Sequence, residues 1–127
     1  MVCKQNKENK LILIPKVERY IEYILEILIK LPRTEKYSIG TEYKISMYKL
    51  IEEIMLLNKM KTSNYNKITE TLNKIDAYLN TQRIYLRIMK KYKWIDEKKF
   101  KNAMNLIYEI GKILGGLIKY YAKNSKE

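Results

Sequence analysis

Hydrophobic residues recur along most of the chain in alternating steps of four and three positions, with polar residues between them. This spacing places the hydrophobic residues on one face of an α-helix. Four such runs are separated by short polar or proline-containing segments, which predicts four long helices and no β-strand. The predicted core positions are Val17, Ile21, Ile24, Leu28 and Leu31; Tyr43, Met47, Leu50, Ile54 and Leu57; Ile68, Leu72, Ile75, Leu79, Leu86 and Met89; and Phe100, Ala103, Met104, Ile107, Ile110, Leu114, Leu117, Ile118 and Tyr121.

The segment after the first run combines a helix stop with a helix start. Pro32 has no amide hydrogen and disfavours a helical Leu31, so the first helix should end there. Thr34 is predicted to cap a second helix that extends to about Met60. Gly40 lies early in that helix, where glycine is unfavourable, and therefore indicates close backbone packing. The alternative is an ordinary corner between two helices.

A third helix is predicted from about Tyr65 to Tyr92, after a short polar break. Gln82 occupies a position where the hydrophobic spacing calls for an apolar residue, and a polar residue at such a position can fix the register of packed helices. Asp96 is predicted to cap a fourth helix that extends to about Tyr121.

Because short connections join antiparallel neighbours, the predicted fold is all-α, an up-down-up-down four-helix bundle. The bundle is expected to form a single domain over residues 15–122, with Pro15 near the first turn of helix one. Residues 1–14 are predicted to be a flexible basic tail, and residues 123–127 a C-terminal tail.

The fourth helix has a wide apolar face and an unusual group of glycines. The apolar face is wider than one pair of neighbouring helices requires, which suggests burial between subunits of an oligomer. Gly111, Gly115 and Gly116 lie on the same helix, and their spacing predicts close helix packing.

The charge of the chain favours an anionic partner. It has 26 basic and 14 acidic residues, a net charge of +12, which suits nucleic acid or an anionic membrane surface; a basic protein without such a partner is the alternative. Residues 63–95 hold the largest share, with seven basic and two acidic residues. Arg83, Arg87, Lys90 and Lys91 share one helical face there, and Lys93 follows at the corner. This stripe is predicted to contact phosphates, and a merely solvated face is the alternative.

Two smaller patterns leave alternatives open. Tyr85 and Tyr92 lie near the basic stripe, where they either stack on unpaired bases or pack at the edge of the core. Glu18, Glu22 and Glu26 recur every four residues in the first helix. They form either a solvated acidic face or a contact for a basic face of another helix or subunit.

Groups that carry catalysis or bind metals are scarce. The chain has no histidine and one cysteine, Cys3, which excludes Ser-His and Cys-His pairs and the histidine-containing di-iron motif of helical bundles. There is no glycine-rich phosphate loop. We therefore expect no catalytic residue, no metal and no cofactor. A lone cysteine fits a reducing cytoplasm, and no apolar run is long enough to span a membrane.

Three segments resemble one family of small four-helix proteins. The first is the corner formed by Pro32, Arg33, Lys36, Tyr37, Ile39 and Gly40. The second is the run LNKIDAYLNTQRIYLRI in the third helix, and the third is LIYEIGKILGGLI in the fourth. Together they resemble the accessory variability determinant (Avd) proteins of diversity-generating retroelements. The related four-helix proteins encoded in intervening sequences of ribosomal RNA genes belong to the same family. Leu117 stands where the family pattern often has tryptophan.

This resemblance implies a basic protomer that assembles into a ring-shaped homopentamer. It also implies a non-enzymatic accessory role, in which the protein binds template RNA and the reverse transcriptase of the retroelement. Arg83 and Arg87 match the basic positions of the family's third helix, whereas Lys90 and Lys91 follow from sharing that face. Gly40, Gly111, Gly115 and Gly116 are the expected packing positions. The alternative function is that of a ribosomal-RNA intervening-sequence protein, an RNA-binding or structural protein of unknown role.

Overall fold

A computed structural model describes residues 2–61 and 63–124, with side chains described for residues 12–61 and 63–123. Four long helices, α1 (Val2–Ile29), α3 (Ile39–Lys59), α4 (Tyr65–Lys91) and α5 (Glu97–Asn124), account for most of the described chain, and a single turn, α2 (Arg33–Lys36), lies at the first corner. The described residues contain no β-strand. The prediction of an all-helical protein with four long helices is therefore confirmed.

The four long helices share one hydrophobic core. All positions predicted for the core on α1, α3 and α4 are buried, and on α5 only Phe100, Met104 and Ile118 are partly exposed at its edge. The core also contains residues that the alternating spacing did not select, namely Leu13, Tyr20 and Ile27. These residues widen the buried face of α1 beyond a single stripe.

The first helix begins earlier than predicted. α1 starts at Val2, so residues 2–14 are helical and Pro15 lies inside the helix rather than at its first turn. A proline inside a helix removes one hydrogen bond and costs about 3 kcal/mol. Leu13, on the N-terminal side of this proline, is fully buried in the core, and its burial offsets part of that cost. α1 thus continues on the N-terminal side of residue 15, and the domain boundary stays a prediction.

The first corner also differs from the prediction. Thr34 does not cap a helix; it lies inside α2, whose N-cap is Pro32. The Ser38 hydroxyl donates to the Thr34 carbonyl at 3.0 Å, and the chain enters α3 only at Ile39. The second long helix therefore begins after a separate turn, and the Ser38 hydroxyl bonds back to a carbonyl of that turn.

The other two corners agree with the sequence. Asn64 caps α4 by accepting a hydrogen bond from the Lys67 amide at 3.4 Å. Asp96 caps α5, as predicted, by accepting one from the Lys99 amide at 2.7 Å. Both caps satisfy amides that have no partner inside the helix.

Side-chain pairs show how the helices neighbour one another. Glu53 of α3 pairs with Lys74 of α4 at 3.7 Å, and Lys16 of α1 pairs with Glu109 of α5 at 3.8 Å. The rings of Tyr65 and Tyr121 join α4 to α5 at 5.6 Å. In contrast, α1 and α3 pack less extensively, and an apolar groove of about 280 Å³ runs between them, lined by Ile14, Val17, Glu18, Ile21, Ile51, Ile54 and Met55.

A buried hydrogen-bond network links three helices at the centre of the core. Tyr20 of α1 donates to Gln82 Oε1 of α4 at 2.6 Å, so Tyr43 of α3 must donate to the Tyr20 oxygen, also at 2.6 Å. Gln82 Nε2 donates to Ser46 Oγ at 3.0 Å. Gln82 is thus the polar core residue expected from the sequence, and its partners satisfy it without water.

The two tyrosines of this network are held in the neutral form. Burial raises the pKa of Tyr20 well above its ordinary value of 10.0, and the hydrogen bond from Tyr43 and the charge of Arg83 oppose that rise only in part. Burial, followed by the proximity of Tyr20, raises the pKa of Tyr43 in the same direction. A phenolate at either position would place an uncompensated charge in the core.

Candidate nucleic-acid interface

The C-terminal end of α4 closes with a specific turn. The Trp94 amide donates to the Met89 carbonyl at 2.9 Å, and the Lys93 amide donates to the Lys90 carbonyl at 3.0 Å. Lys93 has a φ of 60°. These are the two hydrogen bonds and the left-handed residue of a Schellman C-cap, a position that usually holds glycine. The chain thus places a lysine where the backbone favours a residue without a side chain.

Two aromatic rings stack at this corner. Tyr92 and Trp94 have ring centroids 5.3 Å apart and planes inclined by 21°. Tyr92 is 62% exposed, whereas Trp94 is partly buried against the core. The Schellman turn places these two residues on either side of Lys93, and this arrangement leaves much of Tyr92 in contact with solvent.

Three of the predicted basic residues are exposed and lie just before this aromatic pair in the sequence or between its two members. They are Arg87, Lys91 and Lys93. Within the described part of the chain, none of them forms an ion pair with a carboxylate. Their charges are therefore available to an external anion.

Lys90, by contrast, already has partners within the chain. Its Nζ lies 3.2 Å from Glu97 Oε2 and 4.6 Å from the centre of the Phe100 ring. These contacts connect the end of α4 to the first turn of α5. Lys90 therefore serves the corner itself, and a phosphate would have to compete with Glu97 for it.

Arg83 is also held within the chain. It is partly buried, and its Nη1 donates to Asn80 Oδ1 one turn earlier on α4. Its guanidinium crosses to α5, where a methyl group added at Gly111 would lie 2.8 Å from Arg83 Nη2. Gly111 thus leaves room for the arginine head group. The predicted basic stripe consequently divides into two residues with partners inside the chain, Arg83 and Lys90, and three exposed residues without an ion pair in the described part of the chain.

The structure separates the two candidate tyrosines. Tyr85 is partly buried and packs against Tyr43, with ring centroids 5.7 Å apart. Tyr92 is exposed at the corner. Tyr85 therefore belongs to the edge of the core, and of the two only Tyr92 offers an open ring face.

The remaining glycines lie in different surroundings. Gly40 is buried, and a methyl group there would lie 3.4 Å from the Glu35 carbonyl oxygen. Gly115 and Gly116 are exposed, and a methyl group at either would meet no described atom within 4 Å. Close helix packing at these two positions is therefore wrong within one chain, and their role between copies stays a prediction.

An acidic groove lies between α1 and α5. Its volume is about 480 Å³, and its lining residues are Arg19, Glu22, Tyr23, Glu26, Asn102, Asn105, Leu106 and Glu109. Glu18, Glu22 and Glu26 are all exposed, which agrees with a solvated face. Their contact with a basic face of another subunit stays a prediction.

Two kinds of site are absent from the described residues. Over residues 2–61 and 63–124, no helix has an apolar stretch sufficient for a bilayer crossing. Among the described side chains, those of residues 12–61 and 63–123, no three carboxylates are grouped as metal ligands.

Comparison with known proteins identifies a family over most of the chain. The sequence model of the bAvd-like family matches residues 11–121, a span that includes Leu13, Pro15 and all of the corners described above. The comparison with curated proteins gives no match.

Proposed function

The chain belongs to the bAvd-like family, and we propose that it is a non-enzymatic accessory protein of a diversity-generating retroelement. In this role it binds template RNA through the basic end of α4 and bridges that RNA to a reverse transcriptase. The proposal rests on the family and on one observation, the exposed cations Arg87, Lys91 and Lys93, which are close in sequence to an exposed aromatic ring, Tyr92.

Leaving such charges close together is unfavourable in the free protein. Exposed lysines and arginines on one helix face repel one another, and a phosphate backbone relieves that repulsion while releasing its counterions. Arg87 can bind a phosphate through two parallel hydrogen bonds, whereas Lys91 and Lys93 act as single charges. The surface suits a charged backbone better than a small anion, because its cations extend along more than one turn.

We further propose an up-down-up-down protomer that assembles into a ring, as the family resemblance implies. Contacts between the start of one helix and the end of the next support the antiparallel order. Tyr65 at the start of α4 meets Tyr121 near the end of α5, and Tyr43 near the start of α3 meets Tyr85 near the end of α4. Exposed hydrophobic residues of α3, among them Tyr48, Met55 and Leu56, support burial between copies.

The test is RNA affinity as a function of salt for the wild type and an Arg87→Gln/Lys91→Gln variant. A stem–loop RNA with a single-stranded tail serves as the probe, and particle mass is measured on the same samples. We expect the variant to keep its mass and to lower the slope of log affinity against log salt by roughly one to two, because two phosphate contacts are lost.

Lys67→Gln is the matched control, because Lys67 is exposed on the first turn of the same helix. It should leave the slope unchanged. If the wild type binds no RNA at low salt, the RNA-binding part of the proposal fails. Co-purification with a reverse transcriptase encoded beside this gene tests the bridging part separately.

A further inference from the structure

The geometry at the end of α4 points to a stacking site for an unpaired nucleobase, and we propose that the exposed face of Tyr92 is that site. The inference rests on the proposed function, because it assumes that a nucleic acid reaches the basic end of α4. It adds a second recognition element to the phosphate contacts, one that distinguishes single strands from duplexes.

The exposure of Tyr92 is the first argument. Tyr20, Tyr43 and Tyr121 pack in the core and are buried, and Tyr85 packs at its edge and is partly buried. Tyr92 instead keeps 62% of its surface in water although it occupies the capping position of α4. Exposed aromatic surface is unfavourable in the free protein, and the ring can bury it against the flat face of a base.

The stacked partner is the second argument. Trp94 lies against one side of Tyr92 at 5.3 Å and is itself anchored at the edge of the core. The Schellman turn fixes both residues, since the Trp94 amide is bonded to the Met89 carbonyl. Tyr92 is therefore held in place before a ligand arrives, and its binding face does not have to be ordered during binding.

The surrounding charge is the third argument. Lys91 and Lys93 flank Tyr92 in the chain, and Arg87 lies one turn before Lys91 on the same helix face. An aromatic ring among exposed cations matches the combination found in proteins that bind single strands without strong sequence preference. A base in a duplex has no free face, so the site takes unpaired nucleotides.

The experiment uses Trp94 as its own reporter, because it is the only tryptophan of the chain and contacts Tyr92 directly. The full-length protein is titrated with a short polyuridine strand, with an abasic strand of equal length, and with a duplex. We expect a change in Trp94 fluorescence with polyuridine and none with the abasic strand. Tyr92→Leu should weaken polyuridine binding about tenfold, within the range known for base–aromatic stacking.

Three comparisons make the outcome specific. Tyr92→Phe keeps the ring and should bind like the wild type. Tyr108→Leu removes a ring that is 66% exposed on α5 and should have no effect. The salt slope of Tyr92→Leu should equal that of the wild type, since no phosphate contact is lost. Tyr92→Leu should also weaken the binding of single-stranded DNA to the same degree as that of polyuridine. This result would support the site, because stacking requires a base and no 2′-hydroxyl group.

Equal polyuridine affinity for Tyr92→Leu and the wild type would overturn the inference while leaving RNA binding intact. Equal affinity of the wild type for the abasic strand and polyuridine would do the same. If neither strand nor duplex binds the wild type, both this inference and the RNA-binding proposal are wrong. In that case the exposed ring is better explained by contact with a protein.

Discussion

Gln82 and Tyr92 lie on the same helix, but Gln82 is fully buried and Tyr92 is 62% exposed. In the middle of α4, Gln82 is satisfied by Tyr20 and Ser46. At the end of α4, Arg87, Lys91 and Lys93 are exposed and have no ion pair within the described chain. Polar groups satisfied by the fold define how helices pack, whereas those left in water are available to a ligand. Arg83 follows Gln82 in the sequence and lies on α4 between these two regions.

Replacing Gln82 should lower the stability of the protein more than any change at the end of α4. Gln82→Ala removes the acceptor of Tyr20 and the donor to Ser46 and leaves a cavity. We expect the free energy of unfolding to fall by about 3 kcal/mol, with RNA affinity per folded molecule unchanged. Urea denaturation measures the first quantity and binding assays the second.

A matched change on the same helix sharpens this test. Asn73→Ala, at an exposed position of α4, should alter stability by no more than about 0.5 kcal/mol. Gln82→Leu combined with Tyr20→Phe and Tyr43→Phe removes the bonded groups of these three side chains together and should cost less than Gln82→Ala alone. If Gln82→Ala unfolds no more easily than Asn73→Ala, the buried network is not important for stability.

The same network should make the protein sensitive to alkaline pH. The native state keeps Tyr20 and Tyr43 protonated because their pKa values are raised above 10.0, whereas the unfolded chain releases both protons above that pH. The stabilisation is therefore fully present below pH 10.0 and is lost as the pH rises above it. Above pH 10.0, each tyrosine should lower the free energy of unfolding by roughly 1.4 kcal/mol per pH unit.

Denaturation curves at several alkaline pH values measure this loss. Tyr20→Phe should show a shallower decline than the wild type, because one of the two protons no longer differs between the states. Tyr108→Phe, which changes an exposed tyrosine, should decline as the wild type does. Parallel curves for the wild type and Tyr20→Phe would contradict the assignment.

At the end of α4, stability and binding should respond in opposite directions. Lys93 holds a left-handed conformation that glycine adopts without strain. Lys93→Gly should therefore raise the free energy of unfolding by about 1 kcal/mol. It should also lower the salt slope of RNA binding by roughly 0.7, the value of one phosphate contact with a single strand. Thermal denaturation and salt titration of the same sample test both effects, and a destabilised variant would contradict the first.

The smallest effect on stability is expected at the contact between Arg83 and Gly111. Gly111→Ala should displace the Arg83 guanidinium, since a methyl group there would lie 2.8 Å from Nη2. Gly115→Ala is the control, because it meets no described atom and should gain up to about 1 kcal/mol from helix propensity. Gly111→Ala should raise the free energy of unfolding by a few tenths of a kcal/mol less than Gly115→Ala does. Adding Arg83→Ala should abolish this difference, and chemical denaturation of the four variants completes the cycle.

The sequence predicted the core better than the ends of the helices. Alternating steps of four and three identified most buried residues, because burial on a helix follows its periodicity. They missed Tyr20 and Leu13, since nothing local shows that a second face of α1 is covered by other helices. Pro15 and Thr34 were placed at helix starts by local preference, which core packing at Leu13 and the bond from Ser38 to Thr34 override.

The candidate site was predicted in part. The spacing of Arg87, Lys90 and Lys91 correctly placed them on one helix, because net charge and periodicity are visible in the sequence. The different surroundings of the basic residues could not be predicted. The Lys90–Glu97 pair and the space that Gly111 leaves for Arg83 depend on how α4 and α5 pack. The lysine in a left-handed conformation gave no sequence signal, because glycine is the residue expected there.

The attachment of α1 has a consequence for the order of folding. α3, α4 and α5 follow one another with short corners, so their contacts close small loops. α1 meets α5 through Tyr23 and Asn102, whose hydroxyl and amide are hydrogen-bonded across 79 residues of sequence. Because long loops close at a higher entropic cost, α3–α5 are expected to fold first and α1 to dock last. The amides of α1 should then exchange with solvent before those of α4.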